Sequence, residues 1–164
     1  MQATYDRTAR LLHWTIAVLL LAQLFFGWWL GDIPRNTPAR GYYVNLHKST
    51  GLLLGLLILV RIVWRLRHGA LALPDFVPRW QRTLASASHN LLYVLMLIVP
   101  VAGYLASNFS RHGVKFFNVL ILPPWGSDDK QIYTLLNQAH KLAALLLLIL
   151  VVLHVAAALM HGLP

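Results

Sequence analysis

Residues 140–161 read HKLAALLLLILVVLHVAAALMH, and this stretch decides the fold. No formally charged side chain follows Lys141 in it. The apolar run is long enough to cross a bilayer, which takes about 20 residues of helix. Two histidines interrupt it, His140 at its start and His154 fourteen residues further on. That spacing is nearly four turns, so both project from almost one face, offset by roughly 40° and separated by roughly 21 Å along the axis. A polar imidazole in hydrocarbon is costly and usually has a partner or a task. For one such residue the plain explanation is helix packing, with a bond to a neighbouring hydroxyl. Two at opposite depths on one face point to ligands, and the rest of the chain has to supply their partners.

With 164 residues, 58% of them hydrophobic and 12% charged, the chain is too apolar for an ordinary soluble domain. Four apolar runs, 11–30, 44–64, 84–107 and 135–160, each fit one crossing and leave little chain for anything else. The expected architecture is an all-α membrane protein, one domain over 1–164 built as a four-transmembrane-helix bundle. The first run does not read as a cleaved signal peptide: it is too long, contains His13 and Gln23, and ends in Gly27-Trp28-Trp29. Cysteine is absent, which removes disulfides, c-type haem attachment and thiolate metal sites. Glutamate is absent too, and the five aspartates lie outside the spans, so carboxylate-bridged metal chemistry inside the membrane is disfavoured.

In chain order, Arg7 and Arg10 precede the first run, and His13 lies about one turn into it. Trp14 and the Trp28-Trp29 pair mark its two interfaces, where amphipathic rings prefer to sit. In the second run His47, Gly51 and Gly55 recur at i, i+4 and i+8 on one helical face. Such a stripe serves close helix packing, or it makes room beside a histidine for a flat macrocycle; spacing leaves both open. His89 lies one to two turns inside the third run, which also holds Pro100 and Gly103. Residues 116–122 are apolar but too few to span, so they either lie at the interface or cap the bundle.

If the N-terminus is cytoplasmic, seven basic residues fall inside and seven outside, giving no majority. Five arginines around one short loop (Arg61, Arg65, Arg67, Arg79, Arg82) favour that loop being inside, hence an N-in, C-in topology. The histidines then sort into two layers. His47 and His140 lie near the outer face; His13, His89 and His154 lie near the inner face. His68, His112 and His161 read as loop or terminal residues. Opposed imidazoles on neighbouring helices are what six-coordinate haem iron takes, and a bundle core is where such ligands are built. Zinc or copper transport is the competing use, but it usually recruits carboxylates or thiols.

The segments LHW at 12–14, HKSTG at 47–51, RIVWRL at 61–66, HNLLY at 89–93 with its following PVAG, and the histidine pair of residues 140–161 carry a resemblance over nearly the whole chain. The sequence resembles the bacterial cytochrome b561 family, and within it the small four-helix type that includes superoxide oxidase. It lacks the basic tail of a longer family form. The resemblance implies two b-type haems (haem b), one between His47 and His140 and the other between His13 and His154. His89 then becomes a neighbour of the inner ligands or part of a quinone pocket. It further implies a bacterial inner-membrane location. The implied function is an oxidoreductase passing electrons from periplasmic superoxide to membrane ubiquinone. The alternative is an electron-transfer subunit relaying between quinone and a periplasmic redox protein. Superoxide is an anion, so Arg40, Lys48, Arg111, Lys115 and Lys141 on the outer face would steer it inwards. The same residues would also serve propionate pairing and lipid contact. Quinone and lipid are the expected partners, with no role for nucleic acid.

Overall fold

The computed structural model describes residues 6–69 and 77–162. Part of the expected loop 68–82, including Pro74 and Asp75, lies outside the described residues. The described chain forms helices α1 (Arg7–Trp29), α2 (Pro38–His68), α3 (Arg79–Asn108) and α4 (Lys130–Gly162), with strands β1 (Val114–Phe116) and β2 (Leu120–Leu122) between α3 and α4. All four helices are long and apolar enough to cross a membrane.

Polar caps start α1, α2 and α4 ahead of their apolar runs, whereas α3 begins after Pro78 without a side-chain cap. The Asp6 carboxylate accepts from the Ala9 amide at the start of α1. Thr37 caps α2 by accepting from the Arg40 amide, followed by Pro38 in the first turn, where a missing N–H costs nothing. The Asp129 carboxylate accepts from the Gln131 and Ile132 amides and starts α4. Arg65, Arg67 and His68 occupy the last turn of α2, where positive charge complements the helix dipole. His68 therefore ends α2 rather than lying in a loop, and α4 runs on through residue 161.

A central core joins the four helices: Ile16 and Leu20 of α1, Leu54 and Ile58 of α2, Leu92 and Leu95 of α3, Ala143 and Leu147 of α4. On α1, α2 and α4 these residues fall in sequence between the levels of the two histidine layers, so a plug of aliphatic side chains separates them. Close backbone packing runs from α1 to α2, α2 to α3 and α3 to α4. By contrast, α4 barely approaches α1 or α2, the helices that carry the proposed partners of its own histidines.

Polar groups lock α1 to α2 inside the span. The Gln23 amide donates to the His47 carbonyl and accepts from the Thr50 hydroxyl. A Cβ on Gly51 would come within 3.2 Å of the Gln23 amide nitrogen, and one on Gly55 would meet the Pro100 ring at 3.4 Å. Those two glycines therefore serve close helix packing.

Residues 116–122 belong to an antiparallel hairpin pairing Val114 with Leu122, Lys115 with Ile121 and Phe116 with Leu120. It caps the bundle at the end where α2 and α4 begin. The Phe117 amide donates to the buried Ser49 hydroxyl at 2.7 Å, and the Lys48 ammonium donates to the Gly113 carbonyl at 2.8 Å. Gly113 has φ 52° and a Cβ there would lie 2.7 Å from the Leu122 carbonyl oxygen, so only glycine fits.

Candidate functional site

Two histidine clusters occupy opposite ends of the bundle. At the hairpin end, His47 of α2 faces His140 of α4, with ring centroids 6.2 Å apart and planes at 87°. The His140 Nδ1–H donates to the Val99 carbonyl of α3 at 2.8 Å, since a carbonyl can only accept. That bond fixes the tautomer and leaves Nε2 with its lone pair, the arrangement found behind metal-bound imidazoles. The His47 Nδ1 is buried and has no hydrogen-bond partner. An orphaned buried nitrogen is uncommon in a ring held only for packing.

Glycines make room for both rings. A Cβ at Gly27 of α1 would stand 3.0 Å from His47 Cε1, and one at Gly103 of α3 would stand 3.0 Å from His140 Nδ1. Phe26 packs edge-on against His47 at 5.7 Å and stacks on Trp29. The space beside the imidazoles comes from Gly27 and Gly103, which the pattern of the second run did not indicate. Both look in sequence like ordinary helix glycines, one before a tryptophan pair and one after a proline.

At the other end, His13 of α1, His89 of α3 and His154 of α4 come together. His13 and His154 have centroids 6.5 Å apart and planes at 73°; His89 and His154 are 5.3 Å apart at 72°. Two imidazoles bound on opposite sides of one metal, each at roughly 2 Å from nitrogen to metal, have ring centroids a little over 6 Å apart. The 6.2 Å and 6.5 Å pairs fit that requirement, and the 5.3 Å contact is short for it. The spacings of His47 with His140 and of His13 with His154 thus fit a bis-imidazole haem at each end.

Beside the triad, the Arg61 guanidinium donates to the Tyr93 hydroxyl at 3.0 Å and to the Ala9 carbonyl at 2.9 Å, tying α2 to α3 and α1. Arg65 lies over the Tyr93 ring at 5.4 Å. The sequence marked both arginines as part of the RIVWRL segment and of the inner cluster, but nothing local in it tied them to Tyr93.

The five basic residues expected to form an outer face have unequal surroundings. Arg40 folds back onto the Leu30 and Ile33 carbonyls, and Lys48 is engaged with Gly113. Arg111 is exposed and paired with Asp128, whose hydrogen bond and charge push the guanidinium pKa up. Lys115 and Lys141 are exposed, and all five lie towards the hairpin end. His112 is exposed in the turn before β1.

Known proteins give the same direction. Residues 4–164 match the family described as "Prokaryotic cytochrome b561". The chain is 27% identical to cytochrome b561 homolog 2 of Escherichia coli over 150 residues, 91% of this chain and 79% of that one. It is 25% identical to cytochrome b561 homolog 1 of the same organism over 163 residues, 96% of this chain and 89% of that one. It is 29% identical to cytochrome b562 of Cereibacter sphaeroides over 161 residues, 96% of this chain and 86% of that one.

Proposed function

The chain belongs to the prokaryotic cytochrome b561 family, and from that premise we propose that it is a di-haem membrane oxidoreductase taking electrons from periplasmic superoxide to ubiquinone. Membership makes it a membrane electron-transfer protein of cytochrome b561 type and implies b-type haem. The prokaryotic family suggests a bacterial inner membrane; the arginine cluster Arg61, Arg65, Arg67, Arg79 and Arg82 supports placing its own end inside and the hairpin end outside.

The observation that carries the reading is the pair of imidazole couples at opposite ends, 6.2 Å and 6.5 Å between centroids. His47 with His140, and His13 with His154, would hold the two haems. Bound haem b supplies one-electron carriers at the two depths. The protein's part is to position and insulate. Val99 and the two glycines set the ring orientations at the hairpin end, and the aliphatic plug around Leu147 and Ile58 keeps water from the middle of the bundle. In this reading His89, beside His154, and the nearby Arg61 would line the quinone site. In the net reaction two superoxide anions give up one electron each and leave as dioxygen, while one quinone takes two electrons and two protons to become the quinol. The anion would approach the hairpin end, where the exposed Lys115 and Lys141 add positive potential.

The relay reading keeps the same sites but draws on a periplasmic redox protein. It is favoured by the exposed Val119, Leu120 and Ile121 of the hairpin, an apolar patch on the end such a partner would reach. One experiment separates the two. Purified protein carrying two haems is mixed with ubiquinone and enzymatically generated superoxide, and quinol formation is followed. Rapid formation by the isolated protein supports the oxidase. No formation by a fully loaded preparation leaves the relay.

A further inference from the structure

Outside both histidine clusters, α2 carries a cavity of about 300 Å³ lined by Leu59, Val60, Val63, Trp64, Arg67 and His68. These residues recur as neighbouring pairs one turn apart, so they form a single strip along one helix face, roughly 13 Å long. Its first part is aliphatic and about half exposed: Leu59 50%, Val60 45% and Val63 47%. Its last part is aromatic and then cationic.

The aromatic wall is fixed in place. The Trp64 indole N–H donates to the Asp6 carboxylate at 3.0 Å. The His68 ring stacks on the indole at 4.1 Å and 16°, and its Nδ1 lies 3.0 Å from the Trp64 carbonyl. Asp6, the carboxylate beside this wall, is already engaged by the Trp64 indole and the Ala9 amide. Arg67 is exposed at the mouth. A groove that is aliphatic at depth, bounded by an indole at the level such rings prefer and closed by a guanidinium, complements an amphiphile with an apolar chain and an anionic head.

We propose that this groove is a binding site for an anionic phospholipid, its acyl chain along Leu59, Val60 and Val63 and its phosphate on Arg67 beside His68. A neutral-headed amphiphile such as an isoprenoid quinone would use the aliphatic part and leave Arg67 without a function. Complementing the α2 dipole is the other role open to Arg67, and it predicts no preference among lipids.

The test uses the full-length, haem-loaded protein in detergent. It is titrated with phosphatidylglycerol, with phosphatidylcholine of the same acyl chains, or with ubiquinone, and retained adducts are read by native mass spectrometry. Wild type should retain phosphatidylglycerol in preference to phosphatidylcholine. Arg67→Gln should weaken that retention about fivefold, the effect of one basic side chain at a lipid surface. Val63→Trp, which fills the groove, should abolish it. Arg79→Gln, an equal change of net charge outside the groove, should leave it unchanged, and haem absorbance should be the same throughout. Equal retention of both phospholipids by wild type would overturn the proposal. So would an equal loss in Arg67→Gln and Arg79→Gln, or ubiquinone retention that ignores Arg67→Gln.

Discussion

If the paired imidazoles hold haem, none can be replaced by a methyl group, which gives each paired histidine a definite expected phenotype. His47→Ala and His140→Ala should each lower the haem content from two to one per chain by removing the hairpin-end group. His13→Ala and His154→Ala should remove the other, and His89→Ala should keep both. Haem extracted per protein, with the reduced-minus-oxidised spectrum, checks all five; loss of haem in His89→Ala but not in His13→Ala would reassign the second pair. The glycines beside the rings give a finer test. In Gly103→Ala a new Cβ would meet the His140 ring at 3.0 Å, and in Gly27→Ala it would meet the His47 ring at the same distance. Overpacking of this kind costs about 1–3 kcal/mol, so the hairpin-end haem should bind more weakly or shift in potential while the other is unmoved. At Asp6 the Ala9 amide first and the Trp64 indole second hold the carboxyl below its ordinary 3.8. A depressed folded pKa contributes stability that is present above about pH 4 and is lost as pH falls through the folded value. Thermal melts of Asp6→Asn should lack that acid-side component, which wild type shows.

The β-hairpin is held by contacts to α2 that lie far away in sequence. Ser49 is fully buried and its hydroxyl receives the Phe117 amide 68 positions away. Ser49→Ala should leave that donor unmatched and loosen the hairpin by about 1–3 kcal/mol, read as faster amide exchange at residues 114–122 with the helices unaffected. The same distance explains why the element was not legible. Seven apolar residues signal a short buried or interfacial piece, but nothing local reveals that Asn45, Lys48 and Ser49 wait across the fold. Phe117 takes φ 48°, a conformation its side chain does nothing to announce. The helices were readable because bilayer crossing demands a long apolar run, and their extra turns were hidden in caps such as Thr37-Pro38. The histidine layers were readable because depth follows directly from position in a span. The choice between His13 and His89 was not, since both lie at one level and only the packing of α1 and α3 around α4 separates their distances.

Charge belongs to the molecule as a whole. The sequence carries a net charge of +9, divided between both ends of the bundle. With Arg111 matched by Asp128, the exposed Lys115 and Lys141 should contribute more to steering at the hairpin end than Arg111 does. Superoxide-driven quinone reduction should fall about tenfold between low and high ionic strength, as the screening length contracts from about 30 Å at 0.01 M to 8 Å at 0.15 M. Lys115→Gln should lower the low-salt rate more than Arg111→Gln does, with both haems retained. A rate indifferent to salt and to both substitutions would favour the relay. The position of α4 has a consequence for biogenesis. It supplies one imidazole to each proposed pair, yet among the described residues its backbone leans mainly on α3. If the proposed pairs hold the haems, a nascent chain that has released only α1, α2 and α3 into the bilayer presents two half-sites and can close neither. Cofactor capture would then wait until α4 arrives from the ribosome. A single helix then acts as the latch for both ends at once, so failed insertion of α4 should give a protein with no haem at all rather than one with a single haem.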